Sequence, residues 1–162
     1  MSLVMWNRVY LALNTLHVLA VMLFLGSMIM GIFWKRRSDR TDEPRVIAYT
    51  LEGIVRAYRW LTLPSAALLV LFGFGMVAVG NVSLRFAWVL LGIATITVSV
   101  AVLVLRVAPA QLQLLALARS AADAGSFDRA SFDRLTHQWQ RWVLIATVAP
   151  MIGVALMVFK PH

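Results

Sequence analysis

The chain contains no cysteine, which excludes disulfides, thiolate metal sites and thiol chemistry. It is also short of acid, with 7 Asp and Glu against 15 Lys and Arg. None of those acids lies inside a long apolar run, and no phosphate loop, catalytic triad or paired carboxylate is present. Soluble-type enzyme chemistry therefore has no constellation to rest on. The strict apolar–polar alternation of β-barrel spans is missing as well.

What the sequence has instead is hydrocarbon. Of 162 residues 61% are apolar, with a mean hydropathy of +0.81, where a soluble domain would be about half apolar. Charge-free runs occupy Val9–Trp34, Trp60–Leu84, Phe86–Leu105 and Trp142–Phe159. Each is near or above the ~20 residues a helix needs to cross ~30 Å of hydrocarbon. Helices satisfy their backbone bonds internally, so the expected fold is all-α: one integral membrane domain, a four-helix antiparallel bundle with spans at about 9–34, 60–80, 86–107 and 142–159. The first run is too long for a signal-peptide core and no small-residue cleavage motif follows it, so it reads as a mature span.

The net charge of +8 is a topology signal, not a nucleic-acid one. Seven basic residues crowd 35–59 and five more lie in 106–141, leaving only Arg8, Arg85 and Lys160 at the other face. By the positive-inside rule both long loops are cytoplasmic and both termini face outward, as expected of a bacterial inner-membrane protein whose basic loops meet lipid headgroups. Arg56, Arg59 and Arg106 read as snorkelling anchors, and Trp34, Trp60, Trp88, Trp139 and Trp142 as the aromatic belt.

Between the spans, "PRVIAYTLEGIVRAYRW" reads as an amphipathic helix begun by Pro44, with apolar Val46, Ile47, Leu51, Ile54 and Val55 and a Glu52–Arg56 pair on its polar side. A glycine-rich outer turn at Gly80-Asn81 makes the second and third spans expected antiparallel neighbours. The third span continues past Arg106 as a cytoplasmic helix, kinked at Pro109. "SFDRASFDR" repeats at five residues, which is not a helical period. It reads as serine N-caps followed by acids, with Ser131 starting the lead-in to the last span. The second and fourth spans each begin with Arg-Trp and contain a proline, a hint of duplicated hairpins.

One polar residue stands out, in "LNTLHVLAVMLFLG". Hydrocarbon solvates imidazole poorly, so His17 needs a partner. At 100° per residue it shares a face with Leu13, Ala20, Phe24, Ser27 and Gly31. Small residues at four-residue spacing let helices approach, so this face is turned to the bundle interior. Counted from Lys35, His17 lies ~27 Å into the membrane, in the outer leaflet. A packed histidine bonded to Asn14, Thr95 or Thr97 is one reading. Ligation of haem, ligation of copper and proton handling are the others. His137 lies at the opposite edge and His162 on a short tail, so bis-histidine ligation of one iron is not expected, and a haem would be five-coordinate. For copper, Met5, Met76 and Met157 fall near the outer ends of their spans, on the side of His17, and thioethers with imidazole suit Cu(I).

The stretches "LNTLHVLAVMLFLG", "YRWLTLPSAALLVLFGFGM", "APAQLQL" and "WQRWVLIATVAPMIGVALMVFKP" resemble a family of bacterial inner-membrane proteins known only as an integral membrane domain of unknown function. "LMVFKP" is the most specific part. More distantly the chain is similar to copper-resistance proteins of the CopD type and protoporphyrinogen oxidases of the HemJ type, which carry a first-helix histidine after a leucine, as Leu16-His17 does. The latter resemblance implies haem b on His17. Those enzymes also use a lysine in a later span, whereas the lysines here are Lys35 and Lys160, both at span ends. The expected function is thus a haem- or metal-associated redox or accessory protein with His17 as ligand. The alternatives are a cofactor-free structural or interaction protein, alone or as a homo-oligomer, and a small-solute or proton carrier.

Overall fold

A computed structural model describes residues 3–80, 83–125 and 127–159. The expectations for Asn81, Ser126, Lys160 and His162 lie outside the described residues. The four apolar runs are the centres of four long helical stretches, each long and apolar enough to cross a membrane. Helix α1 is Leu3–Asp39. Helix α2, Pro44–Ala57, continues through a π-helical turn, Tyr58–Thr62, into α3, Leu63–Gly80. Helix α4, Ala87–Val102, continues through a second π-helical turn, Leu103–Val107, into α5, Ala108–Ala124. Helix α6 is Arg129–Phe159.

Both π turns have the same cause. Pro64 and Pro109 each lack an N–H, and a proline ring in a regular helix clashes with the carbonyl four residues earlier. Those carbonyls belong to Trp60 and Leu105, inside the two π turns. The register shifts there, so that the Leu63 N–H reaches Tyr58 O and the Ala108 N–H reaches Leu103 O. Pro109 thus leaves the helix continuous, and the third span does run on into α5.

The bundle is built from two antiparallel pairs, α1 with α3 and α4 with α6, joined where α1 meets α6 and where α2 lies on α5. Among the described residues helices α3 and α4 share no extended packed interface, which corrects the expectation that the second and third spans are neighbours. A short connection brings two helix ends together but does not make their faces pack. The faces that do pack are fitted to each other by glycine. A Cβ on Gly75 would meet Leu13 at 3.3 Å across α1–α3, and one on Gly153 would meet Thr95 Oγ1 at 2.5 Å across α4–α6. Ser99 Oγ also donates to the Ala146 carbonyl at 2.5 Å.

The shared core lies toward the basic end, the end bearing Lys35 and Arg106. It includes Phe24, Met28, Leu103, Val107, Leu114, Trp139, Val143 and Ala146, but no buried residue of α4 before Leu103 or of α6 after Ala146. Helix α2 is amphipathic, burying Ile47, Ala48 and Leu51. Its Glu52 pairs not with Arg56 but with Arg119 of α5, whose Nη2 donates at 2.6 Å. The expected i,i+4 pair gives way to a tether between helices.

The five-residue repeat also has a different meaning from the expected serine caps. Asp128 is the N-cap of α6: its carbonyl accepts from the Phe132 N–H at 3.1 Å, and its carboxylate accepts from the Ser131 N–H at 3.1 Å. Phe127 packs on Phe132, ring centroids 5.1 Å apart. The residue before the cap thus touches the fourth helical residue, a hydrophobic staple, and five is the staple's spacing. Ser131 is capped; it does not cap.

Candidate functional site

His17 is buried, 6% exposed, on the face of α1 that packs against α3. Its Nδ1 lies 2.9 Å from the Leu69 carbonyl oxygen. A carbonyl has no proton to give, so Nδ1 carries the hydrogen and donates it. The neutral ring then keeps its lone pair on Nε2, which makes no hydrogen bond among the described residues. The ring has room because residue 73 is glycine: a Cβ there would lie 3.2 Å from His17 Cε1 and 3.4 Å from Nδ1. Ala20 and Phe24, one and two turns on, are buried with it. The inward-facing reading of this helix face therefore agrees with the structure. The expected partners do not: Thr95 and Thr97 bond carbonyls of their own helix, Gly92 and Ile93, and Asn14 is exposed.

The three methionines considered with His17 are dispersed. Met157 packs on Gly92 of α4, in the other helical pair. Met5 is exposed and lies twelve residues from His17, about 18 Å along α1. Met76 is half-buried on α3, three residues beyond Gly73. Among the described residues no group of three His, Asp or Glu side chains is placed to hold a metal ion.

At the basic end the structure holds a cluster that sequence reading missed. Lys35, at the end of the first span, is wholly buried. Its Nζ donates to Asp39 Oδ2 at 2.6 Å and to Thr136 Oγ1 of α6 at 3.1 Å. It lies 4.7 Å from the Phe132 ring centroid and 5.7 Å from that of Trp139. Asp39 Oδ1 is buried without a hydrogen-bond partner among the described residues. The i,i+4 spacing of Lys35 and Asp39 was the available signal. Trp139 is likewise inside, 1% exposed, and not part of a lipid-facing belt. Trp34 and Trp60 are exposed as expected, and Arg106 lies 5.3 Å from the Trp142 ring centroid.

Beside this cluster a groove of about 660 Å³ runs between α1, α2 and the first π turn, with Gln111 and Trp139 at its back.

Comparison with curated proteins finds no match, and neither does comparison with solved structures. A family model does match, over residues 11–161, nearly the whole chain and all four apolar helices. The chain belongs to the family described as "Predicted integral membrane protein (DUF2269)".

Proposed function

We propose that this integral membrane protein holds a prosthetic group through His17, and that haem b is the group the site suits best. The observation that carries the reading is the hydrogen bond from Nδ1 to the Leu69 carbonyl. A histidine whose Nδ1–H is tied to a backbone carbonyl has a fixed tautomer, a fixed ring plane and a more basic Nε2, the arrangement used by metal-ligating histidines. One imidazole among apolar side chains fits the proximal position of a five-coordinate haem. Bound haem supplies one-electron or oxygen chemistry. The chain's own part is to orient the ring, through Leu69 and Gly73, and to keep water from it. The distant likeness to haem-binding membrane oxidases favours the same residue. Copper is the secondary arrangement, with Met76 the methionine placed nearest the His17–Gly73 contact along α3.

The orientation belongs to the same reading: basic end in the cytoplasm of a bacterial inner membrane, both termini outside. The twelve-to-three division of basic residues between the faces supports it.

The test is to purify the protein from haem-replete cells and record its visible spectrum and metal content. A Soret band that His17→Ala abolishes is the expected result. Stoichiometric copper without a Soret band would move the reading to copper. A colourless, metal-free protein in which His17→Ala only lowers the melting temperature would contradict it, leaving His17 as an interhelical hydrogen bond in a cofactor-free interaction protein.

A further inference from the structure

The groove at the basic end is unrelated to His17 and has its own chemistry. Along α1 it extends from Trp34 back to Met22, twelve residues or about 18 Å, from the membrane edge toward mid-membrane. The deep part is walled by Met22, Leu23 and Leu61, and the shallow part by Arg56, Gln111 and Trp139.

Its walls are opened by glycine. A Cβ added at Gly26 or Gly53 would meet nothing within 4 Å, and one at Gly31 would meet only Ile54 Cγ2, at 3.8 Å. Glycine inside a helix costs roughly 0.5–1 kcal/mol relative to alanine. At these positions no close helix contact offsets that cost; what the missing side chains leave is space.

The shallow end carries a donor without an acceptor. The Trp139 Nε1–H is buried and has no hydrogen-bond partner among the described residues. Gln111 is 5% exposed and lines the groove beside it. A buried donor left unpaired costs about 1–3 kcal/mol, so this end of the groove favours an occupant with acceptor oxygens. Arg56 adds charge. Because Glu52 is taken by Arg119, Arg56 has no ion-pair partner among the described residues, and its guanidinium suits a phosphate.

We propose that this groove is a binding site for a single anionic glycerophospholipid. The phosphate sits at Arg56, an ester carbonyl accepts from Gln111 and Trp139, and an acyl chain follows the glycine-lined slot toward Met22. Acceptor oxygens, negative charge and a long apolar tail are joined in this order in such a lipid, and the groove offers their complements in the same order.

The test uses the full-length protein in detergent with an equimolar mixture of phosphatidylglycerol and phosphatidylcholine, read by native mass spectrometry. The wild type retains one lipid, phosphatidylglycerol, over phosphatidylcholine by about five-fold, because both carry the phosphate but the fixed ammonium of choline offsets the negative charge that Arg56 meets. Arg56→Gln, a surface change, removes that preference. Gly26→Leu with Gly53→Leu fills the slot and abolishes retention while the helix content stays unchanged. Equal retention of the two lipids by the wild type, undiminished retention by the filled variant, or an isoprenoid quinone as the retained molecule would overturn the proposal. None of these readouts depends on a cofactor at His17.

Discussion

The His17 imidazole and the Leu69 carbonyl oxygen stand 2.9 Å apart across 52 residues of sequence. That contact does three things. It satisfies a polar ring in hydrocarbon, fixes α1 against α3 at one register, and determines which ring nitrogen is left over. The first two are structural and the third is chemical.

Lys35→Met removes the cation from a buried pair and leaves Asp39, whose side chain is only 18% exposed, without its partner. Losing one member of such a pair is strongly destabilising, and the expected cost is about 3 kcal/mol. Lys35→Met with Asp39→Leu removes both charges and recovers most of that loss. Denaturant titration of the wild type, the single variant and the double variant measures the coupling directly.

Gly153→Val and Gly31→Leu should differ sharply. At Gly153 an added Cβ meets Thr95 Oγ1 at 2.5 Å and the Gly92 Cα at 4.0 Å, so Thr95 must turn from its bond to Gly92 or α4 and α6 must part. The expected loss is about 2 kcal/mol. At Gly31 the space is open except for Ile54, and the melting temperature should stay near wild type. From sequence alone Gly31 looked like the close-packing residue; the structure gives that role to the α4–α6 glycines.

Acid should fray the start of α6. The Ser131 side chain and N–H, both bonded to the Asp128 carboxylate, hold its pKa below the ordinary value of 3.8. A carboxyl whose folded pKa is depressed contributes stability above its unfolded pKa and loses it as pH falls through the folded value. The protection factor of the Ser131 amide therefore holds down to the ordinary carboxylate range and falls below it. In Asp128→Ala that protection is lost at every pH.

Orientation is open to a reporter. A fusion at Asp123, exposed near the end of α5, should be active only as a cytoplasmic reporter, and periplasmic activity there would reverse the topology.

Much of the fold was legible in the sequence, because hydrocarbon thickness fixes helix length and charge-free runs show it. Pro44 at the start of α2, the buried stripe Ile47–Leu51 and the inward face of His17 follow from local pattern. Pairing between helices was less legible. That α3 leaves α4 for α1 depends on how Gly73 and Gly75 fit His17 and Leu13, which no single-helix periodicity encodes. Glu52 chose Arg119 over Arg56 for the same reason: a partner 67 residues away is invisible to i,i+4 reasoning. Lys35 stands at a span end, where a lysine usually snorkels. Its burial needs Thr136, Phe132 and Trp139, all supplied by another helix. The His17 face was visible in sequence, but the identity of its acceptor, a backbone carbonyl, carries no residue-type signal at all.

The claim that His17 Nε2 ligates haem is tested most directly by replacing the ring and returning it as a free molecule. His17→Gly, purified from haem-replete cells, should lack the Soret band of the wild type, and added imidazole should restore it, because the cavity left by the side chain admits the same ligand atom. A His17→Gly protein with the wild-type spectrum before imidazole is added, or one that folds and is colourless once unbound haem is removed after incubation with saturating imidazole and haem, would contradict the account.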